Sequence, residues 1–266
     1  MPAWSVEPND GGGPGAAAWL VARAARPQLG GVARAITGQW GSGEPKSDKS
    51  GAATDGPGTK KTLHAAERDT EANRQRREEF LSTIAAIPAE KLIFLDESGV
   101  TTQMTRQWGR AAKGQRILET TPQGRWTVLT TLGAMSLRGI DAAMTIPSAT
   151  DGDIFRVYVE QVLSPKLKPG DVVVMDNLSA HKVAGIRQQI ETCGARLIYL
   201  PPYSPDLNPI ELAWSKFKQF LRSAKARSDQ ALDQAVSDAL KTISAENAAA
   251  WFRHCGYQGT PIMDPL

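Results

Sequence analysis

Three acidic residues, Asp96, Asp176 and Glu211, occupy comparable places along this 266-residue chain. Asp96 follows the apolar run 92–95 (LIFL), Asp176 follows 172–175 (VVVM), and Glu211 opens an amphipathic stretch soon after 197–200 (LIYL). Short continuous apolar runs read as buried strands, and sites collect at the carboxyl edge of such sheets. Asp96 and Asp176 are therefore expected at two strand ends, with Glu211 on a flanking helix. Carboxylates gathered there would repel and raise one another's pKa. A divalent cation relieves that repulsion, and hard carboxylate oxygens suit Mg²⁺ or Mn²⁺. Two such ions can clamp the attacking and leaving oxygens of a phosphodiester. Each acid also has a purely structural reading. Asp96 would be a strand-end turn residue, and Asp176-Asn177 the start of a helix. Glu211 would be the N3 acid of a capping box, with Asn208 at N-cap, Pro209 at N1 and a Leu207/Leu212 staple.

The elements that must position these acids are legible from residue 60 onward. A charged helix is expected over 67–86, with Phe80, Leu81 and Ile84 at its apolar end. Strands are expected over 91–98, 125–135, 171–176 and 195–200, and 139–146 reads as the hairpin partner of 125–135. Helices are expected over 151–167 (Ile154, Val157, Tyr158 and Val162 on one side), 182–193 closed by Gly194, 209–224, 229–243 and 245–255. Continuous apolar strands alternating with helices imply an α/β fold with a mixed sheet covered on both faces. In helix 209–224, Ile210, Trp214, Phe217 and Leu221 form an apolar stripe. Glu211, Ser215, Lys218 and Arg222 form a polar stripe beside it.

Composition bounds the rest. Apolar residues make up 41% of the chain, enough for a core, and the net charge is +3. That mildly basic balance permits a nucleic-acid partner without demanding one. Cys193 and Cys255 stand alone, which argues against a disulfide framework or a structural zinc site. No run of 18 apolar residues suggests a membrane span, and the first ten residues lack the positive start of a signal peptide, so a cytoplasmic protein is expected. Residues 1–60 hold 12 of the 24 glycines, and 41–60 has no apolar periodicity, so 1–59 is expected to be low-complexity and disordered. Within it, 17–38 could form two short helices, but a helix-turn-helix would need a third helix and a core.

The blocks FLDES (94–98), VMDNLSAHK (174–182) and LPPYSPDLNPIELAWSKFK (200–218) together resemble the DDE transposases of bacterial insertion sequences, within the mariner-like superfamily. The resemblance covers about 60–256, and the 34 residues between Asp176 and Glu211 agree with the family's spacing. It implies a ribonuclease H-like mixed five-stranded sheet flanked by helices, with a catalytic domain over 60–256 and a tail over 257–266. It implies that Asp96, rather than Glu97, joins Asp176 and Glu211 in a triad binding two Mg²⁺ or Mn²⁺ ions. The activity implied is cleavage and joining of DNA at element ends and target sites, carried out by a homo-oligomer. Asn177 and His181 would line the site, with His181 touching phosphate or orienting a carboxylate. Lys216, Lys218, Arg222 and Lys225, with Arg227, could follow a DNA backbone. Trp108, Arg110 and Lys113 could also meet DNA. His64 and His254 have no acidic or cysteine partner at ligand spacing. Family members carry helix-turn-helix domains ahead of the catalytic domain, and 1–59 does not resemble one. A frameshift, a mis-called start or a degenerate fusion is the expectation there. The rival reading is a truncated, catalytically silent remnant that only binds DNA or other subunits.

Overall fold

Seven strands form one sheet in the computed structural model, which describes residues 5–8, 19–23, 65–124 and 126–257. They are β1 (Ser5–Pro8), β2 (Trp19–Arg23), β3 (Leu92–Thr101), β4 (Val128–Ser136), β5 (Gly139–Ile146), β6 (Val172–Met175) and β7 (Arg196–Tyr199). The order across the sheet is β1-β2-β5-β4-β3-β6-β7. The meander β3-β4-β5 is antiparallel, and β6 and β7 add in parallel beside β3. This five-stranded part is the mixed sheet expected from the sequence.

Strands β1 and β2 extend the sheet past β5, where disorder and short helices were expected. The open edge of β5 supplies backbone partners that an isolated short helix lacks. The rest of 1–59 lies outside the described residues.

Among the described residues six α-helices accompany the sheet: α1 (Glu71–Ala85), α2 (Gly152–Tyr158), α3 (Ile186–Thr192), α4 (Pro209–Ala224), α5 (Asp229–Lys241) and α6 (Ala245–His254). Helix α1 buries Phe80 and Ile84, whereas Leu81 turns outward. Helix α2 is shorter than expected. It passes into a π-turn (Val159–Leu163) and a 3₁₀ turn (Ser164–Lys166). Pro165 has no N–H to continue an α-helix. The buried side is Phe155, Tyr158, Val159, Val162 and Leu163, and Ile154 and Val157 are only partly covered. Helix α3 starts later than expected because Gly185, at φ +93°, breaks the chain after the turn Ser179–Lys182.

Period-two alternation sorts the sheet's side chains onto two faces. Leu92, Phe94 and Val100 of β3 share one core with α1, α4, α5 and α6. Ile93 and Leu95 share the other with α2 and α3. The apolar stripe of α4 is as expected: Ile210, Trp214, Phe217 and Leu221 are all buried. Tyr257, assigned by sequence to the tail, belongs to the first core and packs its ring at a tilt on Phe94 and edge-on to Phe252.

The turn before α4 is held from two sides. Tyr257 donates its hydroxyl to the Leu207 carbonyl at 2.6 Å. Arg77 grips Asp206 with two hydrogen bonds of 3.1 and 2.8 Å, and Arg68 adds a third at 3.2 Å. Partial burial works to raise the Asp206 pKa, but the two arginines outweigh it and hold the carboxyl below its ordinary value. A depressed carboxylate pKa stabilises the fold above the unfolded value, and that stability is lost as pH falls through the folded pKa. Asp206→Asn is therefore expected to lower stability by about 1 kcal/mol at neutral pH, a modest figure because the pair is partly exposed. Denaturant unfolding should show this gap closing once the pH is taken below the folded pKa. A gap that persists unchanged in acid would refute the charge-based account.

Candidate active site

Asp96 does not end its strand. Strand β3 continues to Thr101 because β4 keeps pairing with it as far as Val128. What ends after Leu95 is the parallel pairing with β6, whose last strand residue is Met175. Asp96 thus sits where β3 loses one neighbour, and Asp176 follows β6 at the same level. Alternation puts Asp96 on the face that carries α4, and Glu97 on the opposite face.

Burial is the main cause pushing the Asp96 carboxyl up to about 7, followed by the charges of Glu211, Asp176 and Glu97. Glu211 is also raised, first by partial loss of water and then by Asp176, while Lys218 pulls the other way. Asp96 therefore feels the charges of both Asp176 and Glu211, and the three carboxylates share one electrostatic neighbourhood. Among the described residues, no three His, Cys, Asp or Glu side chains stand close enough to hold an ion as placed.

Asp176 is fixed by two neighbours. Its Oδ1 accepts the Leu178 amide at 3.1 Å. The same oxygen lies 2.5 Å from His181 Nδ1, close enough for an ion pair but poorly aligned as a hydrogen bond. The other ring nitrogen, Nε2, is 3.3 Å from Glu97 Oε1. His181 is only 1% exposed and packs against Phe155 with ring centroids 4.4 Å apart. Burial opposes its charge, but contact with Asp176 and Glu97 outweighs burial and pushes its pKa up to about 9. It is thus a buried cation between two carboxylates. Of the two roles expected for His181, orienting a carboxylate fits this placement, and contact with a substrate phosphate does not. The Glu97–His181 link, spanning 84 positions, was invisible in the sequence. Asn177 is exposed and makes no side-chain hydrogen bond among the described residues.

Glu211 stands exposed in the first turn of α4, with Pro209 at N1 as expected. The expected capping box is absent. Asn208 makes no side-chain cap; its carbonyl accepts the Glu211 amide at 3.1 Å, and its Oδ1 is buried without a partner. The start of α4 is set instead by Pro209, by the 3₁₀ turn Pro205–Leu207 and by the clamps on Asp206 and Leu207. Leu207 is buried, while Leu212 packs only partly.

A sequence profile of the DDE superfamily endonucleases matches residues 91–233, more than half of the chain, and spans all three acids. The chain belongs to the DDE endonuclease superfamily. Its fold resembles solved structures of the Mos1 transposase. One is the paired-end complex with the left transposon end, at TM-score 0.57 and 16% identity, covering 76% of this chain and 63% of that one. A Mos1 mariner paired-end complex with Mn gives TM-score 0.56 and 15% identity over 76% of this chain and 63% of that one. The Mos1 catalytic domain with Raltegravir and Mg gives 0.50 and 13% identity over 73% of this chain and 91% of that one. The chain thus spans about 63% of the length of the first of these. No curated protein matches it in sequence.

In this DDE endonuclease the cations of α4 divide into two groups. Lys216 donates to the Thr242 carbonyl and to Asn247 Oδ1, so it joins α4 to the α5–α6 connection and is not free to follow DNA. Lys225 is paired with Glu119, and Arg227 donates to the carbonyls of Thr102 and Met104. These two anchor the connection between β3 and β4. Lys218 and Arg222 remain available: Lys218 faces Glu211, and Arg222 lines an open polar cleft with Arg106, Gln103 and Gln123. Trp108, Arg110 and Lys113 are exposed in the β3–β4 connection. His254 is also exposed, and His64 lies outside the described residues.

His181→Ala would leave Asp176 and Glu97 without the cation between them. The expected loss is about 2 kcal/mol of stability, measured by denaturant unfolding, since each carboxylate keeps some water. An unchanged midpoint would mean that the imidazole contributes no net binding to either carboxylate.

Proposed function

We propose that the chain is the catalytic part of a transposase that cleaves and joins DNA, with Asp96, Asp176 and Glu211 as its metal-holding triad. The observation that carries this reading is the electrostatic convergence of the three carboxylates. Asp96 and Glu211 have no ion pair among the described residues, and the Asp176 partner, His181, leaves the far side of that carboxylate partly exposed. An all-oxygen, anionic donor set of this kind fits Mg²⁺ or Mn²⁺ rather than a softer metal. Glu211 is exposed, so its carboxylate is open to an ion. Two ions between these carboxylates would neutralise charge on the phosphodiester and activate the attacking oxygen.

The protein's own contribution is placement. Asp96 is held by the pairing of its strand with β4, and Asp176 is oriented by the Leu178 amide and His181. Glu211 is carried on a helix whose first turn is clamped. In the first reaction a water oxygen bonds to phosphorus and the bond to the 3′ oxygen breaks, freeing a 3′-hydroxyl and a 5′-phosphate. In the second, that hydroxyl bonds to a target phosphorus and displaces the target's own 3′ oxygen. Lys218, facing Glu211, and Arg222, further along α4, are suited to meet the DNA backbone.

Two of the relatives named above are paired-end complexes of Mos1, which supports DNA ends as substrate and a homo-oligomer as the working form. Exposed Trp108, Leu118 and Trp126 in the β3–β4 connection give an apolar surface suited to such partners. Among the described residues no helix is long and apolar enough to cross a membrane, and the proposed setting is the cytoplasm.

The test is plasmid nicking with Mg²⁺ or Mn²⁺. Asp176→Asn should reduce it at least about 100-fold while the far-ultraviolet spectrum stays unchanged. In the wild type, Mn²⁺ at about 100 times its Kd should add about 2.7 kcal/mol of stability, and EDTA should remove it. Undiminished nicking by the variant would refute the triad. A folded wild type that binds DNA and never nicks it would favour the silent remnant.

A further inference from the structure

Gly133 of β4 lies directly across from Asp96 of β3. A Cβ placed on Gly133 would stand 2.6 Å from Trp214 Cη2, 2.9 Å from Trp214 Cζ2 and 3.7 Å from Ile210 Cδ1. The first two distances are too short for any carbon contact. The benzo edge of the Trp214 indole therefore rests on bare β4 backbone, at the residue that faces Asp96. Trp214 is 2% exposed, and Phe217 meets its ring edge-on at 5.3 Å. Trp214 also lies three positions after Glu211, on the adjacent turn of the same helix.

From this geometry we infer that the Gly133–Trp214 contact is the spacer that sets the gap between the Asp96 strand and the Glu211 helix. Gly133 and Trp214 are then positioning residues for the metal site, which makes this inference rest on the triad reading above. The helix approaches the sheet until the indole meets the backbone of β4, and the missing side chain at 133 decides how close that is. Any side chain there lifts the first turn of α4. Asp96 is held by β3 and cannot follow, because the strand stays paired in register with β4 on either side of it. Glu211 alone moves. Metal sites tolerate little of this, since ligand distances must hold to a few tenths of an ångström.

A contact that only packs the core would change stability and leave ion affinity alone, which separates the two roles. Mn²⁺ binding is measured by calorimetry and by the Mn²⁺-dependent rise in Tm for the wild type, Gly133→Ala, Trp214→Phe and the double variant. Phenylalanine lacks the outer ring atoms that meet position 133. Gly133→Ala alone is expected to weaken Mn²⁺ binding about tenfold or more. In the Trp214→Phe background the same alanine should change the Kd by less than about threefold. The spacer role is overturned if Gly133→Ala binds Mn²⁺ like the wild type. It is equally overturned if the alanine still weakens binding about tenfold in the double variant, where the shorter ring no longer reaches β4. The second comparison stands even if Gly133→Ala alone fails to fold. A wild type that binds no Mn²⁺ sinks the triad reading itself, and this inference with it.

Discussion

Carboxylates brought close together in a partly dry site repel one another and resist ionisation. In the triad proposed above, several features of the fold would keep three of them in place despite that. Asp96 is built into a strand paired on its β4 side, so its backbone cannot yield. Asp176 follows directly from the neighbouring parallel strand and is tied by an amide and a buried imidazole. His181 matters here as charge: a cation 1% exposed offsets two anions, Asp176 and Glu97.

Helix α4 carries the third carboxylate and has the harder task, since a helix can slide where a strand cannot. Its restraint is distributed. Ile210, Trp214, Phe217 and Leu221 lock one stripe into the core, and truncating a buried residue of the size of Trp214 typically costs about 3–5 kcal/mol. Lys216 fastens the middle of the helix to the α5–α6 connection, and Arg77, Arg68 and Tyr257 hold the turn that precedes it. Four prolines between 201 and 209 stiffen the same approach, and Tyr203 takes a left-handed backbone conformation at φ 56° within it. The polar stripe of the same helix is thereby kept over the sheet edge, with Lys218 next to Glu211.

The connection between β3 and β4 contrasts with this rigid frame. Arg227, Lys225 and Arg106 pin it near α4, while Trp108 and Leu118 extend into solvent. A segment anchored at its base and apolar at its tip is suited to engaging another molecule, and its cations belong to the scaffold as much as to any ligand.

The amino-acid order by itself determined the sheet strands and the buried stripe of α4, and it nominated the three acids proposed as the site, because burial periodicity and apolar runs are local properties of a chain. It also determined the family, through motifs whose residues are contiguous. It could not reveal what depends on elements far apart. The end of the β3–β6 pairing looked like the end of β3, because a sequence does not record which neighbour stops first. The capping box at Asn208 was locally sound, and packing around a buried side chain overrode it. Lys216, Lys225 and Arg227 looked like a DNA-binding row because they lie close together on or just beyond one helix. Their partners, Asn247, Glu119 and Thr102, are remote in sequence and took them out of it. Likewise only the tertiary structure put Glu97 against His181 and Gly133 beneath Trp214, since contacts across a sheet and between layers are fixed by register and packing, not by spacing along the chain.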